Sequence, residues 1–269
     1  MLPVISDTGS RCSAIVLAGG RGTRMGGDVS KQFLSLGGYP VLYHSLAAFE
    51  ECPYIQEIIL VAARGQEQYC RTHIVGRYGF RKVNRIVPGG EERYDSVYAG
   101  LLACTDTDYV FIHDSARPFL DRQILDRCME GVRKWGACSA GMPAKDTVCL
   151  TGSDAGVLDI PDRSGVWIVQ TPQVFSYPLI LRAHRMLRDL NRTGGITDDV
   201  MVVRRFTVHP VHMVLGAYSN IKITTPEDLP MAEAVWEAQH PEKSEVRLPG
   251  TGRVRTGKKR RGTYGANRK

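Results

Sequence analysis

No Cys-x-x-Cys pair occurs among the seven cysteines of this chain (Cys12, Cys52, Cys70, Cys104, Cys128, Cys138 and Cys149), and their number is odd. Both facts speak against a disulfide framework and for reduced thiols in a cytoplasm. No apolar run approaches the ~18–20 residues that a membrane-spanning helix needs. The opening MLPVISDTGS has no basic start and is interrupted by Asp7, so no secretory signal is expected. His209 and His212 form the one close pair among seven histidines; they lie in an apolar, strand-like run and read as strand residues rather than metal ligands. Two phosphate-binding signatures are missing as well. Gly22-x4-Gly27 is followed by Asp28-Val29 instead of Lys-Ser/Thr, which excludes a P-loop. Gly20-x-Gly22 is followed by Met25 where a dinucleotide fingerprint needs glycine, and the second strand ends in Ala63-Arg64 instead of an acid.

What is present suits a soluble chain of 269 residues with 43% apolar content, long enough to bury a core without staples. The net charge of +7 is unevenly placed. From His240 onward ten lysines and arginines face two acids, a net of +8, so the preceding 239 residues carry −1. The basicity belongs to a tail, 240–269, with little to bury, which is expected to be disordered. Such a tail can touch nucleic acid weakly by counterion release. A nucleotide- or nucleic-acid-binding protein working through that tail is therefore the alternative of another class.

Strand-like and helix-like runs alternate along the body. Strands are expected over Ala14–Leu17, Ile55–Ala63, Val83–Val87, Tyr109–His113, Ala137–Met142, Trp167–Val169 and Val208–Leu215. Helices are expected over Val41–Glu51, Gln66–Tyr78, Asp95–Cys104, Asp121–Trp135 and Tyr177–Asn191, then behind Thr197 as N-cap, and over Pro226–Ala238 with Thr225 as N-cap. Short β-branched strands separated by amphipathic helices imply crossovers. The expected fold is α/β: a Rossmann-like, mainly parallel sheet with helices on both faces. Lys145–Gly165 breaks the alternation with two short strand-like pieces around a Gly/Ser/Asp turn. It reads as a protruding β-hairpin arm at 145–165, a lid or a dimerisation device.

Ligands of open α/β sheets sit beyond the carboxyl ends of the strands. There the sequence places LAGGRGTRMGGDVSKQF, Leu17–Phe33, a glycine loop with Arg21, Arg24 and Lys31 embedded in it. Its glycines let backbone N–H groups approach anionic oxygens, and its cations suit charge growing on a transferring phosphoryl group. Two further strand ends carry similar turns: Gly89-Gly90-Glu91-Glu92-Arg93 before Ser96, and His113-Asp114-Ser115-Ala116-Arg117-Pro118. Three such loops together favour a nucleotide site.

These residues resemble the signature of nucleotidyltransferases that activate sugars and polyols. The ordered set Gly89-Gly90-x-x-Arg93-x-x-Ser96-Val97, His113-Asp114-x-Ala116-Arg117-Pro118, Pro143-x-x-Asp146-Thr147, Gln170-Thr171-Pro172-Gln173, Thr197-Asp198-Asp199 and Asn220-Ile221-Lys222-Ile223-Thr224 is similar to the 2-C-methyl-D-erythritol 4-phosphate cytidylyltransferase family, over about Ala14 to Ala238. The resemblance implies CTP and a polyol phosphate as substrates, with Mg²⁺ bound mainly through CTP phosphates and no metal ligands of the chain's own. It implies nucleotide binding at Ala18, Gly19, Gly20, Gly90, Glu91, Ser96 and Ser115, and transition-state stabilisation by Arg24 and Lys31. It implies acceptor binding at Asp114, Thr147, Arg163, Thr171 and Lys222, with Thr147 and Arg163 reaching a partner subunit in an arm-joined homodimer. Ribitol 5-phosphate, with the same chemistry, is the near alternative acceptor. The transferase domain is expected to span 1–239.

Overall fold

Ala14, Ile15 and Val16 are all fully buried, so the strand that holds them is covered on both faces. In the computed structural model, which describes residues 9–19, 30–190 and 194–244, this is β1 (Cys12–Ala18). The chain then forms the small ribbon β2 (Ser35–Leu36) and β3 (Tyr39–Pro40), helix α1 (Val41–Glu50) and β4 (Ile55–Ala62). Next come α2 (Glu67–Tyr69), continued by a π-helical stretch Cys70–Gly76, then β5 (Val83–Pro88), α3 (Arg93–Ala103), β6 (Tyr109–Asp114), α4 (Arg122–Trp135) and β7 (Ala137–Pro143). The hairpin β8 (Leu150–Thr151) and β9 (Val157–Asp159) follows as the expected arm, largely exposed. The remainder is β10 (Trp167–Ser176), α5 (Tyr177–Asp189), α6 (Asp199–Phe206), β11 (His212–Leu215), α7 (Asp228–Gln239) and α8 (Pro241–Ser244).

The seven-stranded sheet has the order β5-β4-β1-β6-β10-β7-β11. All neighbours pair in parallel except β10, which runs antiparallel to both β6 and β7. Alternation of side chains along each strand sorts the core into two layers. Ala14, Val16, Ile58, Leu60 and Phe111 meet α1 and α4 through Leu42, Leu46, Phe49, Ile124 and Met129. Ile15, Ile59, Val61, Val110 and Ile112 meet α3, α5 and α6 through Val97, Leu101, Ile180, Leu187 and Val203. No helix of the described residues is long and apolar enough to cross a membrane.

Several boundaries differ from expectation for identifiable reasons. The strand expected to end at Val169 continues to Ser176, with a register shift between Val169 and Gln173. Pro172 has no N–H to give to a ladder, so Gln170–Pro172 stand unpaired in the middle of β10. The cap of α6 is Asp198, not Thr197: its Oδ1 accepts from Met201 N–H at 2.8 Å. Helix α7 begins at Asp228, whose Oδ2 gathers the N–H groups of Thr224 (2.7 Å) and Thr225 (2.9 Å), so Thr225 does not cap. β11 starts at His212, and Val208 is 99% exposed. His209 and His212 diverge: the first donates from Nε2 to Trp135 O at 2.8 Å, the second stacks on the Trp135 ring. Order also enters the span assigned to the tail, since His240 stacks on Trp236 and α8 follows. Residues 245–269 lie outside the described residues.

A third, smaller core cluster docks α7 on the β2–β3 ribbon through Leu36, Val41, Ile223, Ala232 and Trp236. Gly37 turns that ribbon at φ +59°, and a Cβ there would run into the Trp236 ring. Both the left-handed backbone and the contact exclude a larger residue. Gly37→Ala is expected to cost roughly 2–4 kcal/mol of stability from overpacking and backbone strain together. Urea unfolding followed by tryptophan fluorescence checks this; an unchanged midpoint would show that α7 is not held against the ribbon.

Candidate active site

Parallel strands bring their carboxyl ends to one edge, and the turns there are drawn together by short polar contacts. Gly89 N–H donates to Ala62 O at 2.7 Å, which ties the end of β5 to the end of β4. Gly90 N–H donates to Ser96 Oγ at 3.1 Å, which fixes the turn onto the first residues of α3. A Cβ on Gly89 would stand 2.9 Å from Ser96 Oγ, and one on Gly90 would run into Asp95 Cβ, so this turn needs glycine. Gly19, at the end of β1, faces the same Ser96 hydroxyl and the same Ala62 carbonyl. Ala18, Gly19, Gly90 and Ser96 therefore share one corner, with Glu91 exposed at its rim. Ser115 is buried beside it, its N–H on Leu17 O at 3.0 Å. Lys31 opens the turn Lys31–Phe33, which the buried Gln32 fastens to β1 by donating to Ala18 O at 2.8 Å. Gly20, Arg21 and Arg24 lie outside the described residues.

The second half of the site is a cavity of about 260 Å³ on the other side of β6. Asp114, Thr171 and Lys222 line it together, and so do Arg93, Arg117, Gln173 and Asp198, whose side chains sequence reasoning did not assign to a site. Thr147 and Arg163 are not among its lining residues. They are exposed at the base of the arm, where Arg163 donates to Lys145 O at 2.9 Å.

Asp114 organises the cavity. Its Oδ1 accepts from Arg93 Nε at 3.2 Å and its Oδ2 from Lys222 Nζ at 2.7 Å. Burial opposes ionisation of this carboxyl, but the Arg93 and Lys222 cations outweigh it and hold the pKa far below the usual range. Arg93 is in turn held by Asp199, with Nη1 2.7 Å from Oδ2. Burial would lower the Arg93 pKa; Asp199 and Asp114 raise it instead. Arg117 reaches Asn220 O (2.8 Å) and Val169 O (3.4 Å), which pins the loop carrying Lys222 to the broken part of β10. Arg93 Nη2 and Arg117 Nε are buried donors with no partner among the described residues. The cavity thus offers cations and spare N–H groups around one ionised acid, a surface for a ligand rich in oxygen and negative charge.

His113 sets the back wall. Its Nε2 lies 3.1 Å from Arg117 O, a carbonyl that can only accept, so the ring hydrogen sits on Nε2. Burial lowers the pKa of His113 to about 4, so the ring is neutral near pH 7. Nδ1 is then an acceptor for the Thr171 hydroxyl at 3.0 Å, and Thr171 Oγ1 accepts from Asp114 N–H at 3.2 Å. The strand bearing Asp114 and the strand bearing Thr171 are locked together at the cavity floor. Among the described residues no group of three or more His, Cys, Asp or Glu side chains is placed to hold a metal ion.

A mainly parallel α/β sheet with glycine turns and fixed cations at its carboxyl edge is the build of an enzyme that handles phosphorylated nucleotides. Comparison with known proteins narrows the class. The chain belongs to the 2-C-methyl-D-erythritol 4-phosphate cytidylyltransferase family, whose model matches residues 12–238. It is 46% identical over 220 residues to the protein of that name from Lachnospira eligens, covering 82% of this chain and 96% of the relative. It is 46% identical over 230 residues to the one from Pelotomaculum thermopropionicum, covering 85% and 95%. The crystal structure of 4-diphosphocytidyl-2C-methyl-D-erythritol synthase from Anaerococcus prevotii superposes with a TM-score of 0.72 at 33% identity, over 84% of this chain and 98% of that one.

The His113 environment generates a pH prediction. Its folded pKa of about 4 lies below the unfolded value, so the unfolded chain binds the proton first. The stabilisation is complete above the unfolded pKa of about 6.5 and is lost as pH falls toward about 4, an amount of about 3 kcal/mol. Urea unfolding of the parent and of His113→Gln at pH 7, 5.5 and 4.5 measures it. The variant is expected to lack this part of the acid sensitivity; parallel pH profiles would contradict the assignment.

Proposed function

We infer that this chain transfers CMP from CTP to 2-C-methyl-D-erythritol 4-phosphate, giving CDP-methylerythritol and pyrophosphate, a step in non-mevalonate isoprenoid precursor synthesis. Family membership supports the reaction. The observation that carries the reading within this molecule is the adjacency of two unlike half-sites across β6: a glycine and serine corner open to a nucleotide, and a cationic cavity open to a polyol phosphate.

In this reading an oxygen of the acceptor's phosphate attacks the α-phosphorus of CTP. The new P–O bond forms as the bond from the α-phosphorus to its bridging oxygen breaks, and pyrophosphate leaves with that electron pair. The acceptor phosphate has a second pKa of ~6 and is mostly dianionic at pH 7, so no general base is needed. The obstacle is charge crowding, and the chain's contribution is position and electrostatics. Ala18, Gly19, Gly20, Gly90, Glu91, Ser96 and Ser115 hold the nucleoside. Arg24 and Lys31 stabilise charge on the transferring group. Lys222 and Thr171 take the acceptor phosphate, with Arg93 and Arg117 as further donors, and Asp114 takes acceptor hydroxyls on the lone pairs its two cations leave open. Mg²⁺ would be held mainly through the CTP phosphates, where it would neutralise charge; both Asp114 oxygens are engaged by Arg93 and Lys222, so this carboxylate is assigned no direct bond to the ion.

We also propose a homodimer joined through the arm at 145–165. The arm exposes Leu150, Val157, Ile160 and, at 74%, Leu158, apolar side chains that a second copy would cover. Thr147 and Arg163, which do not line the cavity of their own chain, would then act in the partner's. The transferase body is taken as 1–239, and a cytoplasmic setting suits seven cysteines of which none is bridged.

Pyrophosphate release from CTP and Mg²⁺, with methylerythritol 4-phosphate or ribitol 5-phosphate as acceptor, tests the reading. Turnover selective for the first is expected; selectivity for the second would replace the acceptor, and silence with both would overturn the transferase reading. Lys31→Ala is expected to lower kcat by about 10²–10⁵ with the fold intact, the range for lost oxyanion donors and arginine fingers.

A further inference from the structure

Helix α5 turns one stripe of side chains into the layer beneath the sheet: Ile180, Ala183 and Leu187, all in the core. His184 lies on that stripe and is 0% exposed, where an apolar residue would complete the packing. It makes one hydrogen bond among the described residues, from Nε2 to Asp199 Oδ1 at 3.1 Å. A carboxylate oxygen only accepts, so Nε2 carries the hydrogen. Nδ1 has no partner among the described residues. Asp199 is also 0% exposed; its other oxygen holds Arg93 Nη1, and its N–H donates to Gln173 Oε1 at 2.8 Å. Burial opposes its ionisation, and Arg93 and His184 outweigh that and lower its pKa.

We propose that His184, a residue that lines no part of the cavity, is a positioning residue for the acceptor half-site. It acts through a fixed relay: His184 Nε2–H orients Asp199, Asp199 orients the Arg93 fork, and Arg93 Nε holds Oδ1 of Asp114, so that Oδ2 is presented to Lys222. Removing the imidazole hydrogen leaves Asp199 Oδ1 as a buried anionic acceptor short of a donor, and such a group reorients toward whatever donor it can reach. The Arg93 guanidinium is one such donor: it already bonds the other oxygen through Nη1, and its Nη2 has no partner among the described residues. A symmetric, two-point grip by Asp199 on Arg93 draws the guanidinium away from Asp114. The nucleotide corner at Gly19, Gly90 and Ser96 shares no hydrogen bond with this relay among the described residues, so the effect is confined to the acceptor.

The test compares His184→Leu, which fills the space without a donor, and His184→Gln, whose amide can donate in place of Nε2. Solvent exchange of the Arg93 Nε–H, followed by nitrogen-15 NMR in the protein without substrate, reads the relay independently of activity. Slow exchange is expected in the parent and in His184→Gln, and exchange at least about tenfold faster in His184→Leu, the size of a lost net hydrogen bond. The kinetic arm rests on the cytidylyl-transfer reading: acceptor KM is expected to rise about tenfold or more in His184→Leu with CTP KM unchanged, and to return toward the parent value in His184→Gln. Fast exchange already in the parent, equal exchange in all three, or failure of His184→Gln to restore it would overturn the relay whatever the activity. Loss of turnover in the parent with slow exchange intact would instead sink the functional reading and leave the relay standing.

Discussion

One carboxylate held between two cations organises the cavity beside β6. Asp114 ends β6, and the partners that keep it ionised in a buried position arrive from α3 and from the loop after β11. A buried acid of this kind is tolerable only when paired and hydrogen-bonded. The pairing therefore ties the site to the fold. Arg93 must stand at the start of α3, Lys222 must be brought round by the Arg117–Asn220 contact, and Asp199 must be held at the start of α6. Each of those elements is packed in the core for its own reasons, and the ion pairs convert that packing into a fixed arrangement of charge.

The reversed strand β10 is the second constraint. β10 runs antiparallel to both β6 and β7, and its pairing is interrupted around Pro172. The unpaired stretch lets Thr171 bond both Asp114 N–H and His113, while Gln170 donates to Ala217 O and Gln173 accepts the first N–H groups of α6. An irregular strand thus joins three loops that chain topology alone would leave apart.

The alternation of strands and helices, the arm and the glycine turns were legible in the sequence, because period, turn chemistry and glycine content are local properties. The direction of β10 was not, since a buried strand reads the same from either end. Thr197-Asp198-Asp199 offered three capping residues in a row, and local chemistry could not choose among them; in the fold Asp198 caps α6, while Asp199 gives its N–H to Gln173 and turns its carboxylate to Arg93, both distant in sequence. The resemblance placed Asp114 and Lys222 at the acceptor, yet their bond spans more than a hundred residues and leaves no local trace. In the sequence His184 is one more position of an amphipathic helix. Only the depth of its burial beside an acid marks it out.

In the proposed reaction Asp114 serves the acceptor and not the nucleotide. The most direct measurement is the separate binding of CTP and of the acceptor phosphate to Asp114→Asn, by calorimetry, with folding verified. Breaking a buried charge pair of this kind is expected to weaken acceptor binding by roughly two orders of magnitude while CTP binding is unchanged. Equal loss of both, or loss of CTP alone, would contradict the division of the site into two halves across β6.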